Sequence, residues 1–332
     1  DLAKSLAIIG VILIHVSDEA IAGEANTPSW LSALFWGCVS RGAVPVFFLC
    51  SGALLLDPAR ELGIRRVWTR NIPHILAALF VWAAAYKLLP CVTHGDWSAD
   101  TLRRVLRELA LWQHEQHLYF LHILLLVYAL LPATRLLAEK PEVRRYLLLL
   151  WGVTGILLPT ARSLGLYTLP GIPQQWPLNM TWAAAGYGLL GYALRQRPLS
   201  PRAALAAFAA GFVLCFAGTA LLTRRCGALR AQLLEGMSPG PLLMASGAFS
   251  LCQTASPRLS DRAARLAAFG GRASFCVYLA HMMVFRALRH IGLTATHAPG
   301  LEIPLVTALC AVLCALVYGV LSRVPWVRRW LI

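Results

Sequence analysis

IPLVTALCAVLCALVYGVLS, residues 303–322, runs for twenty residues without an Asp, Glu, Lys or Arg. A helix of that length is about 30 Å long, the thickness of a bilayer's hydrocarbon core, so the stretch reads as a membrane-spanning helix. Apolar blocks of the same kind recur upstream, separated by short Arg-rich connectors. They place spans at about 3–16, 31–56, 73–90, 117–134, 146–161, 179–194, 203–222, 240–256, 270–290 and 303–322. The expected fold is therefore all-α, a polytopic membrane helix bundle of about ten transmembrane helices, with residues 1–332 as a single membrane domain. The composition agrees: 58% of the 332 residues are hydrophobic and 14% charged, and the mean hydropathy is +0.63. That excludes an ordinary soluble domain.

A formal net charge of +15 raises nucleic acid as a partner. The Lys and Arg residues are scattered through connectors, with no basic stripe or aromatic platform, so no nucleic-acid partner is expected and the lipid bilayer is. Ten spans put both termini on one side. With the termini in the cytoplasm, the inner connectors and tail carry seventeen basic residues against ten in the outer connectors, and the first outer connector holds Asp18, Glu19 and Glu24 with no cation. The positive-inside rule favours that orientation, in a cell's inner (plasma) membrane. The chain begins at Asp1 without a Met, so residues are expected to precede it. Its first apolar block carries Lys4 and His15 and lacks a cleavage site, unlike a signal peptide.

The longest outer connector contains SADTLRRVLRELALW, with Leu102, Val105, Leu106 and Leu109 at helical spacing behind caps at Ser98 or Asp100. It reads as an amphipathic helix on the outer face. Of nine cysteines most lie inside apolar blocks, where a thiol acts as a small hydrophobe; Cys91 and Cys226 at outer ends of spans are the pair that could bridge.

An ionisable group in lipid costs several kcal/mol unless it is buried in protein or faces a wet cavity, so such residues mark functional candidates. Four clusters stand out. Lys4 and His15 are eleven residues apart, about 20° from the same helical direction and about 16 Å along the axis; a snorkelling Lys and an interfacial His are the plainer reading. In SRGAVPVFFLCSGALLL, Arg41 lies deep in an apolar block, with Pro45 positioned to distort the helix; the alternative for Arg41 is a structural ion pair with an acidic residue such as Asp18. In HEQHLYFLH, His114 and His117 share a face if helical, which admits a metal, but His122 lies off it and no set of three ligands emerges. No metal is expected, and a polar aromatic mouth including His117 and Tyr119 fits better. In RASFCVYLAHMMVF, Ser274, Tyr278 and His281 fall at i, i+4 and i+7, as cavity lining or as a hydrogen-bond ladder between helices.

Taken together, the D..K pair ahead of His15, the SR.AVPVFFLCSG block, HLYFLHILLLVYALLP and SF.VYLAH resemble, in order and spacing, the acyltransferase 3 family of membrane O-acyltransferases. The likeness extends from Asp1 to about Tyr318, closest to the short branch without an esterase-like domain. Three positions depart from the family pattern. Lys4 stands where Arg is usual and Tyr119 where Trp is usual, and Arg66 and Arg70 are separated by three residues where the family has two.

The resemblance implies a cytoplasmic acyl-CoA donor, commonly acetyl-CoA, and a hydroxyl on an envelope or surface polysaccharide sugar, a glycan or lipid-linked sugar, as acceptor. On that reading His15 is the base and Arg41 stabilises negative charge on an oxyanion or an acidic glycan. Lys4, Arg66 and Arg70 hold the donor, and His117, Tyr119, Ser274, Tyr278 and His281 line the acceptor site. Direct transfer and a covalent acyl-His or acyl-Tyr intermediate both remain open. The rival class is a ten-span transporter of a small polar solute, which predicts two similar halves that the chain does not display.

Overall fold

Helices begin where a small polar side chain takes up free N–H groups and a proline occupies the first turn. The computed structural model of the protein describes residues 1–60, 62–166 and 175–332. Thr27 before Pro28 and Ser200 before Pro201 are such starts, their hydroxyls accepting from the Trp30 and Ala203 N–H groups. In chain order the helices are α1 (Leu2–Ile21), α2 (Pro28–Ser40), α3 (Ala43–Leu55), α4 (Ile64–Arg66), α5 (Ile72–His94), α6 (Ala99–Ala110), α7 (Tyr119–Glu139), α8 (Pro141–Trp151), α9 (Leu158–Ser163), α10 (Met180–Gln196), α11 (Pro201–Cys226), α12 (Pro239–Ala255), α13 (Asp261–His290), α14 (Pro299–Leu321) and α15 (Pro325–Trp330). π turns at Val67–Asn71 and Gly152–Leu157 join α4 to α5 and α8 to α9. The described residues contain no strand.

Apolar side chains gain nothing by leaving lipid for protein, so helices in a membrane associate through close backbone approach and hydrogen bonds. The pair α3 and α10 meets in this way. A Cβ built on Gly52 would lie 1.9 Å from the Gly188 carbonyl oxygen, and one on Gly191 would lie 2.1 Å from that of Leu49. The α1–α13 contact uses the same device at one end, where Gly270 faces Ser5 and Gly271 faces Asp1, and Ser5 Oγ donates to the Ala267 carbonyl at 2.7 Å. Farther along, His15 meets His281 and Glu19 meets Arg289, so the two helices run parallel. α1 also packs on α2, α3 and α14, which puts it at the centre of the bundle.

Among the described residues, seven helical segments are long and apolar enough to cross a membrane: Pro28–Leu55, Ile64–Thr93, Gln116–Glu139, Pro141–Ser163, Pro201–Cys226, Asp261–His290 and Pro299–Leu321. The expected count of about ten is therefore not confirmed by length and composition. The other three expected spans are α1, which carries Lys4, Asp18 and Glu19, and α10 and α12, which are 17 residues each. About half of α1 and of α10 is buried against other helices. An interior helix is selected for polar groups and small residues, so it lacks the long uncharged run of a lipid-facing one.

The structure differs from several local expectations. The segment 31–56 is two helices, broken at Arg41 and Gly42 rather than at Pro45. Pro45 sits in the first turn of α3, where no N–H is needed, and Gly42 lies against the backbone of Met244 and Ala245. The amphipathic helix is α6, capped by Ser98 accepting from the Thr101 N–H. It buries Thr101 and Val105 but leaves Leu106 67% exposed, and a Lys87–Glu108 ion pair at 2.6 Å pins it to α5. All nine cysteines are free thiols, Cys91 buried and Cys226 exposed, so the bridge between them is absent.

Candidate active site

Four residues of α1 at i, i+7, i+11 and i+14 (Lys4, Val11, His15 and Asp18) fall on one stripe of the helix, and all four line a single cavity of about 880 Å³. From Lys4 to Asp18 the stripe is about 21 Å long. The facing wall comes from α13, whose Ser274, Tyr278, Met282 and Arg286 are spaced at four-residue intervals. Arg41, Phe47 and Ser51 close one side, and Glu115, His117 and Tyr119 close another. The remaining wall is the segment from Leu234 to Met237, held by a 2.6 Å hydrogen bond from Tyr187 Oη to the Gly236 carbonyl.

The two ends of the cavity differ in charge. At one end Lys4 has no carboxylate within ion-pair distance among the described residues. At the other end the cations are matched. Arg41 Nη2 is paired with Asp18 Oδ1, and Arg286 Nη2 with Glu115 Oε2 at 2.5 Å. Asp18 is thus the partner of Arg41, and the guanidinium still faces the cavity, with its Nε buried and unpartnered.

His15 is half-buried on the cavity wall. His281 is not on that wall: its position on α13 turns it away from the stripe, and its ring centroid lies 5.1 Å from that of His15 and 5.6 Å from that of His117. His281 Nδ1 is 2.6 Å from the Tyr278 carbonyl, which can only accept, so Nδ1 carries the proton and the buried Nε2 is left as a free lone pair. Tyr278 Oη donates to the His117 carbonyl at 2.6 Å and fixes the start of α7 against α13. Ser274 Oγ donates to its own helix at Gly271, and Tyr119 stays part-exposed at the mouth.

Arg66 and Arg70 are elsewhere. Both are exposed at the end of the bundle where α3 finishes and α5 begins, with Arg65 beside them, and none of the three touches the cavity. The π turn at Val67–Asn71 explains their spacing, since an i+5 turn absorbs one residue more than an α turn. His114 and His117 also separate. Residues 112–115 are not helical, so the expected shared face does not form; His114 Nδ1 instead bonds His122 Nε2 at 2.8 Å. Burial, and after it the charge of His122, hold His114 below the usual imidazole range. No three His, Cys, Asp or Glu side chains converge as a metal site among the described residues.

A sequence profile described as an acyltransferase domain matches residues 1–321. The chain belongs to the acyltransferase 3 family. Membership makes the protein a membrane acyltransferase and sets aside the transporter reading. No curated protein and no solved structure gives a significant match.

Sequence reasoning did not single out Glu115, Arg286, Glu235 or Tyr86 for this region. Arg286 had a signal, since it continues the Ser274–Tyr278–Met282 spacing by one more step. Glu115 had none, because its pairing with Arg286 spans 171 positions.

Proposed function

We propose that this acyltransferase moves an acyl group, acetyl in the simplest case, from cytoplasmic acyl-CoA to a hydroxyl of an envelope or surface polysaccharide sugar on the opposite side of the membrane. The observation that supports this reading is that His15 faces one continuous cavity with an unpaired cation, Lys4, at one end and, at the other, two cations each paired with a carboxylate and a further carboxylate, Glu235. Lys4 attracts the anionic or strongly polar part of a donor coming from the Lys4 end. Arg65, Arg66 and Arg70, exposed at that same end, offer bidentate donors for its phosphates. The acceptor arrives from the Asp18 end.

His15 takes the acceptor hydroxyl's proton as that oxygen attacks the thioester carbonyl. The new C–O bond forms, the C–S bond breaks, and the departing CoA thiolate recovers the proton from His15. Arg41 directs its free N–H groups at the negative charge that develops on the carbonyl oxygen. Its pairing with Asp18 argues against a role in binding an acidic glycan. His117, Tyr119, Ser274 and Tyr278 shape the acceptor side, and His281 supports His15 from behind.

The test is transfer of labelled acetyl groups to envelope glycan by cells or vesicles carrying His15→Ala. Transfer is expected to vanish while the protein stays folded and inserted. Wild-type transfer by that variant would remove His15 from the mechanism.

A further inference from the structure

A second pocket, of about 500 Å³, lies beside the reaction cavity between α5, α6 and the start of α7. Tyr86, Lys87, Pro90 and Cys91 supply one wall, and Asp96, Thr101, Arg104, Val105 and Glu108 the other. Glu115 and Arg286 line both this pocket and the reaction cavity, so their 2.5 Å ion pair stands as the partition between the two spaces. Tyr86 backs that partition. Its ring lies 5.5 Å beneath the Arg286 guanidinium and 4.7 Å from the His117 ring. Its hydroxyl donates to the Leu279 carbonyl and accepts from the Met283 N–H, which fixes it to α13.

The charges of this pocket cancel: Lys87, Arg104 and Arg286 face Asp96, Glu108 and Glu115. Lys87 and Arg286 are each already bound to a carboxylate. The Asp96 carboxylate accepts from Thr101 Oγ1 at 2.7 Å and from the Ser98 N–H at 3.1 Å, and these bonds, foremost the one from Thr101, hold it below the usual carboxylate range. An incoming anion finds no unpaired cation except Arg104, which is exposed and close enough to Asp96 and Glu108 to stabilise their charge. A polyol is treated differently. Hydroxyls both donate and accept, and here they meet three cationic donors and three carboxylate acceptors lining one pocket. Pro90 adds to the supply of acceptors, because it has no N–H to give the Tyr86 carbonyl one turn back.

We propose that this pocket is a second acceptor subsite, which holds an uncharged polyhydroxylated segment next to the sugar being acylated and joins the reaction cavity where Arg286 and Glu115 now meet. The inference deepens the proposed function and rests on it for the identity of the acceptor side.

The experiment uses a photoreactive benzoylphenylalanine residue placed at Arg104, which is exposed and lines the pocket, in the full chain in its own cells. Pro90, also exposed and lining the pocket, is the second position should the first variant fail to fold. Val92, 64% exposed but outside the lining, is the control. After irradiation the purified protein is weighed by mass spectrometry. The expected result is adducts that carry neutral sugar masses at position 104 or 90, at least tenfold above the Val92 level, and equally abundant in a His15→Ala background. Adducts of an acidic glycan, adducts of lipid without sugar, or no excess over Val92 at either position would overturn the subsite. Acetyl transfer in the same cells is read separately. Its loss as a function of the protein would remove the proposed reaction, whereas a missing adduct with transfer intact removes only the subsite.

Discussion

Replacing Gly52 by Ala should cost the protein both stability and activity, because the added methyl group has nowhere to go. An ideal Cβ at Gly52 lies 1.9 Å from the Gly188 carbonyl oxygen and 2.3 Å from the Gly188 Cα. Ordinary contact begins near 3.4 Å, so α3 and α10 must separate by about 1.5 Å, and the obstacle is backbone that cannot rotate aside. Overpacking of this kind costs about 1–3 kcal/mol, and a rigid obstacle places the substitution toward the upper end. At roughly 1.4 °C per kcal/mol for a chain of this length the apparent melting temperature should fall by about 4 °C. The same α3 carries Phe47 and Ser51 into the cavity wall, so acyl transfer should fall with it. The assay is thermal unfolding of the purified protein in detergent or nanodiscs, read by monodispersity after heating, alongside labelled acetyl transfer. Gly63→Ala is the control, since nothing lies within 4 Å of its added Cβ. A Gly52→Ala protein that melts and works like the wild type would refute the argument that this helix pair depends on backbone contact.

Arg70→Ala should raise the apparent KM for acyl-CoA and leave the response to acceptor unchanged; a selective loss of acceptor affinity would move Arg70 to the other half of the reaction. Single cysteines introduced in the 17–30 connector should react with an impermeant thiol reagent added outside cells, and those in the 57–72 connector should not. The reverse pattern would invert the orientation of the bundle. His114 titrates below its ordinary value of 6.5 in the folded chain. The unfolded chain therefore binds that proton more readily, and the contribution to stability is complete above about pH 6.5 and is lost as the pH falls through the usual imidazole range. His114→Gln should flatten that part of the melting profile between about pH 7.5 and 5.5, and an unchanged slope would dissociate it from His114.

The helical bundle was legible because lipid imposes length and polarity on every helix that faces it, as at 203–222 and 303–322. Where protein replaces lipid the signal weakens, and α1, α10 and α12 fall short in length or in freedom from charge for that reason. Within the site, helical spacing alone brought Lys4 and His15 to one face and Ser274 and Tyr278 to another. Spacing failed where the chain is not an α-helix: residues 112–115 redirect His114 to His122, and the helix breaks at Arg41 and Gly42 rather than at Pro45. It also could not separate a wall residue from one behind the wall, which is the difference between Tyr278 and His281. Pairings such as Glu115 with Arg286 depend on how α7 meets α13, and no local pattern encodes that.

A chamber that follows α1 for about 21 Å, if it lay wholly within a hydrocarbon core of about 30 Å, would leave roughly 9 Å of insulator. The electrical potential of an energised membrane then drops mainly across that thin septum. In the proposed reaction the acyl group passes one way as the acceptor's proton passes the other way to the CoA sulfur, an exchange that displaces no net charge, whereas a lone thiolate or proton making the same step would exchange about 2.3 kcal/mol with the field for each 100 mV. Coupling the two movements would let the proposed reaction run without drawing on the membrane potential.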